Sequence, residues 1–145
     1  MLIDIWTYER KLAKRLLMWA VVSTLTGLIL ILFSNAFWQA FGIQAAAWGF
    51  IDGLIAIFGL RRVKQKSLPP SNEGDHLQEA RNIRKVLWIN TCLDVIYIAS
   101  GAALIFFLGT NSDFWQGTGW GIILQGGFLL IFDAFHAWQT PLGAK

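Results

Sequence analysis

The stretch "VLWINTCLDVIYIASGAALIFFL", residues 86–108, contains 23 residues and one charged side chain, Asp94. A helix needs about 20 mostly apolar residues to cross the hydrocarbon core of a bilayer. The chain contains four windows of this kind, at Leu16–Phe33, Trp38–Leu60, Val86–Leu108 and Gly117–Trp138. Because they cover more than half of the 145 residues, the sequence predicts an all-α integral membrane bundle of four transmembrane helices in one domain.

The content and the distribution of charge agree with this prediction. Charged residues make up 14% of the chain, against about 25% in a typical soluble domain. Lys and Arg cluster at 10–15, 61–66 and 81–85, and the connections 34–37 and 109–116 contain none. The positive-inside rule therefore predicts that both termini are cytoplasmic. The clusters indicate contact with the lipid bilayer rather than with nucleic acid.

This topology divides the remaining residues among three cytoplasmic segments. They are an amphipathic approach at 1–15, a linker and helix at 61–85, and a tail at 139–145. The two halves of the chain also resemble each other. "FWQ" occurs at 37–39 and at 114–116, and Gln and Asp recur eight residues apart at 44 and 52 and at 125 and 133. This internal repeat predicts two tandem helical hairpins of the same orientation.

Small residues recur every four positions in the second window, at Ala45, Gly49 and Gly53. Membrane helices associate through close packing at small residues, so we expect this stripe to contact another helix. Enlarging its residues would then also disturb any assembly in which that helix takes part.

The sequence also predicts the positions of several individual residues. The pattern Asp75-x-x-Gln78 has the form of a capping box and predicts the start of the helix that leads into the third window. We expect Trp6 to lie at headgroup level, His76 to be solvated in the linker, and Cys92 to be a buried packing residue.

Polar side chains interrupt the apolar windows on defined faces. Asn90, Asp94 and Tyr97 follow i, i+4 and i+7, which is one stripe of a helix. The fourth window carries three polar residues within an arc of about 80° at 100° per residue: Gln125, Asp133 and His136. We expect the two stripes to face each other, with Asp133 and His136 in contact and able to relay protons.

The second window contributes secondary candidates, Gln44 and Asp52. At 1.5 Å per residue, the three intramembrane aspartates lie roughly 8–12 Å from the cytoplasmic ends of their helices, which suggests a shared polar layer. An acid at this depth costs about 2.5–3.5 kcal/mol on insertion scales and marks a functional site by default. The alternative is that Asn90, Tyr97 and a nearby Lys or Arg satisfy Asp94, and that the cluster only locks the bundle.

Three hypotheses for function follow. The first is a transporter-like or channel-like bundle that binds a solute, ion or proton at the polar cluster and acts as a homo-oligomer. The second is a non-enzymatic accessory or assembly subunit of a larger membrane complex. The third, a lipid-modifying enzyme, has only the pair Asp133 and His136 in its favour, and the sequence leans against it. No catalytic residue, metal site or cofactor is assigned.

Three stretches carry a family resemblance: "QAAAWGFIDGLIAIFGL" (44–60), "INTCLDVIYIASGAALI" (89–105) and "GTGWGIILQGGFLLIFD" (117–133). In these stretches the chain resembles a domain-of-unknown-function family of small bacterial four-helix integral membrane proteins. The resemblance implies the fold and a location in a bacterial inner membrane. It implies no activity and no functional residue.

Overall fold

The computed structural model describes residues 4–67 and 73–142. They form four long helices and one short 3₁₀ helix, in the order α1 (Ile5–Phe33), α2 (Ala36–Lys66), α3 (Glu73–Phe107), 3₁₀ (Gly109–Asn111) and α4 (Asp113–Gln139). Each of the four α helices is long and apolar enough to cross a membrane. The predicted all-α fold of four such helices is confirmed. The helices extend past the predicted windows: the 29 residues of α1 span about 43 Å, so residues 5–15 of the predicted approach segment and the first window form one helix.

Two tight, capped turns reverse the chain at one end of the bundle. The Asn35 side chain accepts a hydrogen bond from the backbone N–H of Trp38 at the start of α2. The Ser112 side chain accepts one from Trp115 at the start of α4. Such caps satisfy backbone N–H groups that have no partner within the helix. Because each turn is short, α1 with α2 and α3 with α4 form two antiparallel hairpins.

The hairpins contact each other mainly through α2 and α4. Over their described lengths, α1 and α3 contact each other at few positions, and α2 and α3 share no extensive backbone contact. Helix α3 therefore has one main neighbour, α4. Both described chain ends lie at the same end of the bundle, where Leu142 packs against the start of α1.

The predicted small-residue stripe faces α1. Ser23 Oγ donates a hydrogen bond to the carbonyl oxygen of Ala45 at 2.9 Å. A Cβ atom on Gly49 would lie 2.5 Å from Thr24 Oγ1, and one on Gly53 would lie 3.6 Å from a side chain of α1. The stripe is therefore used inside the chain, between the two helices of the first hairpin, and is not free to contact a partner protein.

Helix α4 approaches α2 at Gly117 and Gly121. A Cβ atom on Gly117 would overlap the carbonyl oxygen of Phe37, and one on Gly121 would lie 2.8 Å from Gln44 Cβ. Gln44, a secondary candidate for the polar cluster, therefore lies at the crossing of these two helices.

The end of the bundle that holds the chain ends has its own apolar core, built from Ile5, Trp6, Val63 and Ala80. Trp6 is only 7% exposed and packs within this core; its depth at headgroup level stays a prediction. His76 lies in α3, with its ring edge-on to Trp6 at 5.8 Å between centroids, and not in a linker. The reason for this difference is that α3 begins early and packs with α1 against the end of α2.

Two further expectations are wrong. Helix α3 begins at Glu73, so Asp75 and Gln78 lie within its first turns and do not cap its start. Cys92 is exposed and not buried. Because α3 packs mainly against α4, most of its circumference, including the position of Cys92, has no protein neighbour in the described part of the chain.

We predict that Gly27→Ala destabilises the α1–α2 hairpin. Its Cβ atom would lie 2.5 Å from the backbone nitrogen of Ala46 and from the carbonyl oxygen of Gly42. Overpacking of this kind costs about 1–3 kcal/mol, and this exceeds the gain of about 1 kcal/mol from alanine in a helix interior. The thermal midpoint in mild detergent should fall. The matched control is Gly127→Ala, where nothing lies within 4 Å of the new atom; an equal midpoint for both variants would contradict the prediction.

Candidate functional site

A cavity of about 420 Å³ lies among α2, α3 and α4. Each of these helices contributes one carboxyl group to its lining: Asp52 from α2, Asp94 from α3 and Asp133 from α4. The three residues are buried, with exposures of 3%, 8% and 7%. We call this space the acidic cavity. It brings together three aspartates that are separated by about 40 residues in the chain.

The other polar groups of the lining come mainly from α3. Asn90, Asp94 and Tyr97 all line the cavity, because their spacing places them on one face of α3. Asn90 lies beside Asp133 and within hydrogen-bonding reach of it. The Tyr97 ring contacts Trp48 of α2, with centroids 4.7 Å apart and planes at 61°. The cavity wall therefore combines acids, an amide and two aromatic rings.

Two of the carboxyl oxygens have no hydrogen-bonding partner. Asp52 Oδ2 and Asp94 Oδ2 are buried and unpaired with any described residue. Of the described residues that line the cavity, none is Lys, Arg or His. A cluster that only locked helices together would be expected to pair its buried polar atoms. The alternative that Asp94 only locks the bundle requires a nearby Lys or Arg, and the described lining of the cavity does not provide one.

The acidic cavity opens sideways between α2 and α3. Ile55 of α2 and Leu93 and Ile96 of α3 line it, and all three are more than half exposed. The opposite wall is formed by Leu16, which is buried, and Leu129, which is half-buried. Because α2 and α3 do not pack closely along their described lengths, a lateral gap remains at the surface that lipid would contact.

Gln125 was expected in the same cluster, but the structure places it against α1. Its side chain is 1% exposed, and its Nε2 donates to Ser23 Oγ at 2.8 Å. Ser23 in turn donates to the carbonyl oxygen of Ala45. Gln125 therefore joins α4 to the first hairpin and does not line the acidic cavity.

His136 also faces α1, so the predicted contact with Asp133 is wrong. Its Nε2 lies 3.2 Å from Arg15 Nη1, and its Nδ1 lies 2.7 Å from the carbonyl oxygen of Phe132. A guanidinium only donates hydrogen bonds, so Nε2 accepts and Nδ1 carries the proton that bonds Phe132. Tyr8 donates its hydroxyl to the carbonyl oxygen of His136 at 2.6 Å. Both ring nitrogens are therefore engaged by groups other than Asp133.

The geometry of a helix explains this division. At 100° per residue, Gln125 and His136 lie about 20° apart around α4, whereas Asp133 lies about 60–80° from both. Helix α4 packs against α2 and α3, and its side chains also reach α1, so a polar arc of about 80° is wide enough to meet two neighbours. Gln125 and His136 meet α1, and Asp133 meets α3.

The sequence predicts Asp52 only as a secondary candidate, and it does not predict that Trp48 belongs to the site. Trp48 and Asp52 are four residues apart and share a face of α2, and Ile55 continues that face. This face is offset by one residue from the small-residue stripe that meets α1. The sequence did contain a signal for this part of the site. The stripe of Trp48 and Asp52 lies next to the small-residue stripe of α2, and a central helix such as α2 must pack against neighbours on two faces.

No metal centre is evident in the structure. Across residues 4–67 and 73–142, no group of three His, Cys, Asp or Glu side chains is close enough to hold a metal ion. The three carboxyl groups thus surround the acidic cavity without converging on one point.

The fold and the cavity define the class of protein: a bundle of four helices, each long and apolar enough to cross a membrane, with an acidic cavity among three of them. The chain belongs to a family of unknown function, DUF6992, whose model matches residues 15–134. The match includes all three aspartates of the cavity. The expected membership of a family of unknown function is thereby confirmed. No curated protein and no solved structure matches the chain.

We predict that substitution of Ser23, which joins helices, and substitution of Asp52, which lines the acidic cavity, differ in their effect on stability. Ser23→Ala removes the partner of the buried Gln125 amide and should lower the stability by about 1 kcal/mol. Asp52→Asn should leave the stability unchanged or raise it, because Asp52 Oδ2 has no hydrogen bond to lose. Thermal midpoints in the same detergent compare the two variants. If Asp52→Asn lowered the midpoint as much as Ser23→Ala, Asp52 would be holding the bundle together.

Proposed function

We propose that this chain is an integral protein of a bacterial inner membrane and that its acidic cavity binds a proton or another cation in a transporter-like or channel-like function. The observation that carries the proposal is the pair of buried, unpaired carboxyl oxygens on Asp52 and Asp94. Both residues line a space large enough for a ligand. An unsatisfied acid facing such a space is suited to take up positive charge reversibly.

The energetics support this proposal. An aspartate near the bilayer centre costs about 2.5–3.5 kcal/mol on insertion scales, and the acidic cavity contains three. Elsewhere in the bundle, Ser23, Gln125 and His136 are joined in hydrogen bonds between helices. Asp52 and Asp94 each keep one unpaired carboxyl oxygen, so their presence is better explained by binding than by packing.

The ends of the bundle support the proposed orientation. The described chain ends, the end of α2 and the start of α3 lie at one end, where the basic residues Arg62 and Lys66 both pair with Glu79. The two turns at the other end contain neither Lys nor Arg. The proposed cytoplasmic face is therefore the end that carries the termini.

The other hypotheses have less support. The accessory-subunit hypothesis would use the stripe at Ala45, Gly49 and Gly53 only indirectly, because this stripe packs against α1 of the same chain. The lipid-enzyme hypothesis relied on contact between Asp133 and His136, and His136 bonds Arg15 and Phe132 instead. A complete transport path through so small a bundle would require homo-oligomers, and this remains part of the proposal.

Proton flux in liposomes tests the proposed function. With a potassium diffusion potential imposed by valinomycin, the purified protein should change the fluorescence of trapped pyranine. Asp94→Asn and Asp133→Asn should abolish this change, because each removes an acid of the cavity while retaining its shape. Asp113→Asn is the matched control, since Asp113 is exposed at the start of α4 and should leave the flux intact. Wild-type flux in both cavity variants would contradict the proposal.

Cysteine labelling tests the orientation. In a Cys92→Ser background, cysteine would replace either Ser67, beside the connection between α2 and α3, or Thr110, in the turn at the opposite end; both positions are exposed. A membrane-impermeant maleimide should label position 110 on intact spheroplasts and position 67 only after lysis. The reverse pattern would invert the proposed topology.

A further inference from the structure

The acidic cavity changes character from its opening to its inner wall. At the opening, Ile55, Leu93 and Ile96 present apolar side chains that are 56%, 55% and 66% exposed. At the inner wall, the carboxyl groups of Asp52 and Asp133 are buried. A ligand that entered between α2 and α3 would therefore contact hydrocarbon groups first and acids last.

The inner wall is suited to an organic cation. Its two unpaired oxygens, Asp52 Oδ2 and Asp94 Oδ2, can accept hydrogen bonds or balance a positive charge. Trp48 and Tyr97 stand in the same wall, and aromatic rings attract cations through their faces, most strongly in desolvated places. The described lining contains no Lys, Arg or His that would compete for these acids.

The size of the acidic cavity also favours an organic ligand. Its volume of about 420 Å³ falls within the range of about 300–1,000 Å³ that is typical of small-molecule sites. A proton requires neither this volume nor an apolar opening. A bare metal ion would require converging ligands, and no group of three such side chains is arranged for one in the described ranges.

We propose that the acidic cavity binds an amphiphilic organic cation, which reaches it from the bilayer through the gap between α2 and α3. The cationic group lies between Asp52 and Asp94 beside Trp48, and the apolar part lies along Ile55, Leu93 and Ile96. This inference rests on the proposed function, because it names the class of ligand for the same site.

Equilibrium binding of tetraphenylphosphonium to the protein in lipid nanodiscs tests the inference, with empty nanodiscs subtracted. We expect saturable binding that Asp52→Asn and Asp94→Asn each weaken by about tenfold or more, since each removes a buried partner of the charge. The matched control Asp113→Asn should bind as the wild type does. Size-exclusion profiles show whether each variant remains folded.

Two competitors resolve which parts of the ligand matter. Tetramethylammonium has the charge without the apolar part, and triphenylphosphine oxide has aromatic rings without the charge. Neither competitor should displace tetraphenylphosphonium when it is added at a concentration near the dissociation constant of tetraphenylphosphonium. If tetramethylammonium displaced it equally well, or if binding were unchanged in both aspartate variants, the inference would be wrong.

A variant at the opening tests the route of entry, and a comparison of binding with flux separates this inference from the proposed function. Ile96→Trp narrows the lateral gap without changing an acid, so it should weaken tetraphenylphosphonium binding in nanodiscs. Proton flux that requires Asp94, combined with no saturable binding of tetraphenylphosphonium, would overturn the inference and leave the proposed function standing. If the wild-type protein showed neither proton flux nor saturable binding of tetraphenylphosphonium, both the proposed function and this inference would be wrong.

Discussion

At Gly27, Gly49 and Gly117, a neighbouring helix occupies the space where a Cβ atom would stand. Backbone therefore packs directly against backbone, first between α1 and α2 and then between α2 and α4. Helices surrounded by lipid gain little from burying leucine, so contacts of this kind determine which helices associate. Because α2 uses its close contacts on α1 and α4, it leaves a gap toward α3, and the acidic cavity occupies that gap.

Two classes of buried polar group follow from this arrangement. Ser23, Gln125, Arg15 and His136 form hydrogen bonds that join α1 to α2 and α4, and they act as structural links. The aspartates of the acidic cavity have a different environment, in which two carboxyl oxygens remain unpaired among the described residues. The contrast matters because buried polar atoms in proteins are normally satisfied. Of the five unpaired buried side-chain atoms among the described residues, the two on Asp52 and Asp94 belong to residues that line the acidic cavity, and the other three lie elsewhere, on Glu9, Trp19 and Gln125.

The lateral gap gives this site an unusual combination of properties. Its acids are shielded, yet its opening is lined by exposed aliphatic side chains and is directed toward the surroundings of the bundle. In a membrane, a ligand with an apolar part would be concentrated at that surface by partitioning into the bilayer. The site would then be supplied from the lipid phase, and the apolar residues at its opening would be part of its selectivity.

The sequence by itself determined the four helices, their apolar character and the stripe of Asn90, Asp94 and Tyr97, because length, hydropathy and helical periodicity are local properties. It also indicated the small-residue stripe of α2. Only the tertiary structure decided which helix each stripe meets. In the tertiary structure, Asp133 of α4 faces α3, whereas Gln125 and His136 of the same helix contact α1. Asp52 and Trp48 of α2 also line the site only because of how the helices pack. The physical reason is that helix pairing depends on close contacts between distant parts of the chain, and spacing within one helix cannot specify the neighbour on each face.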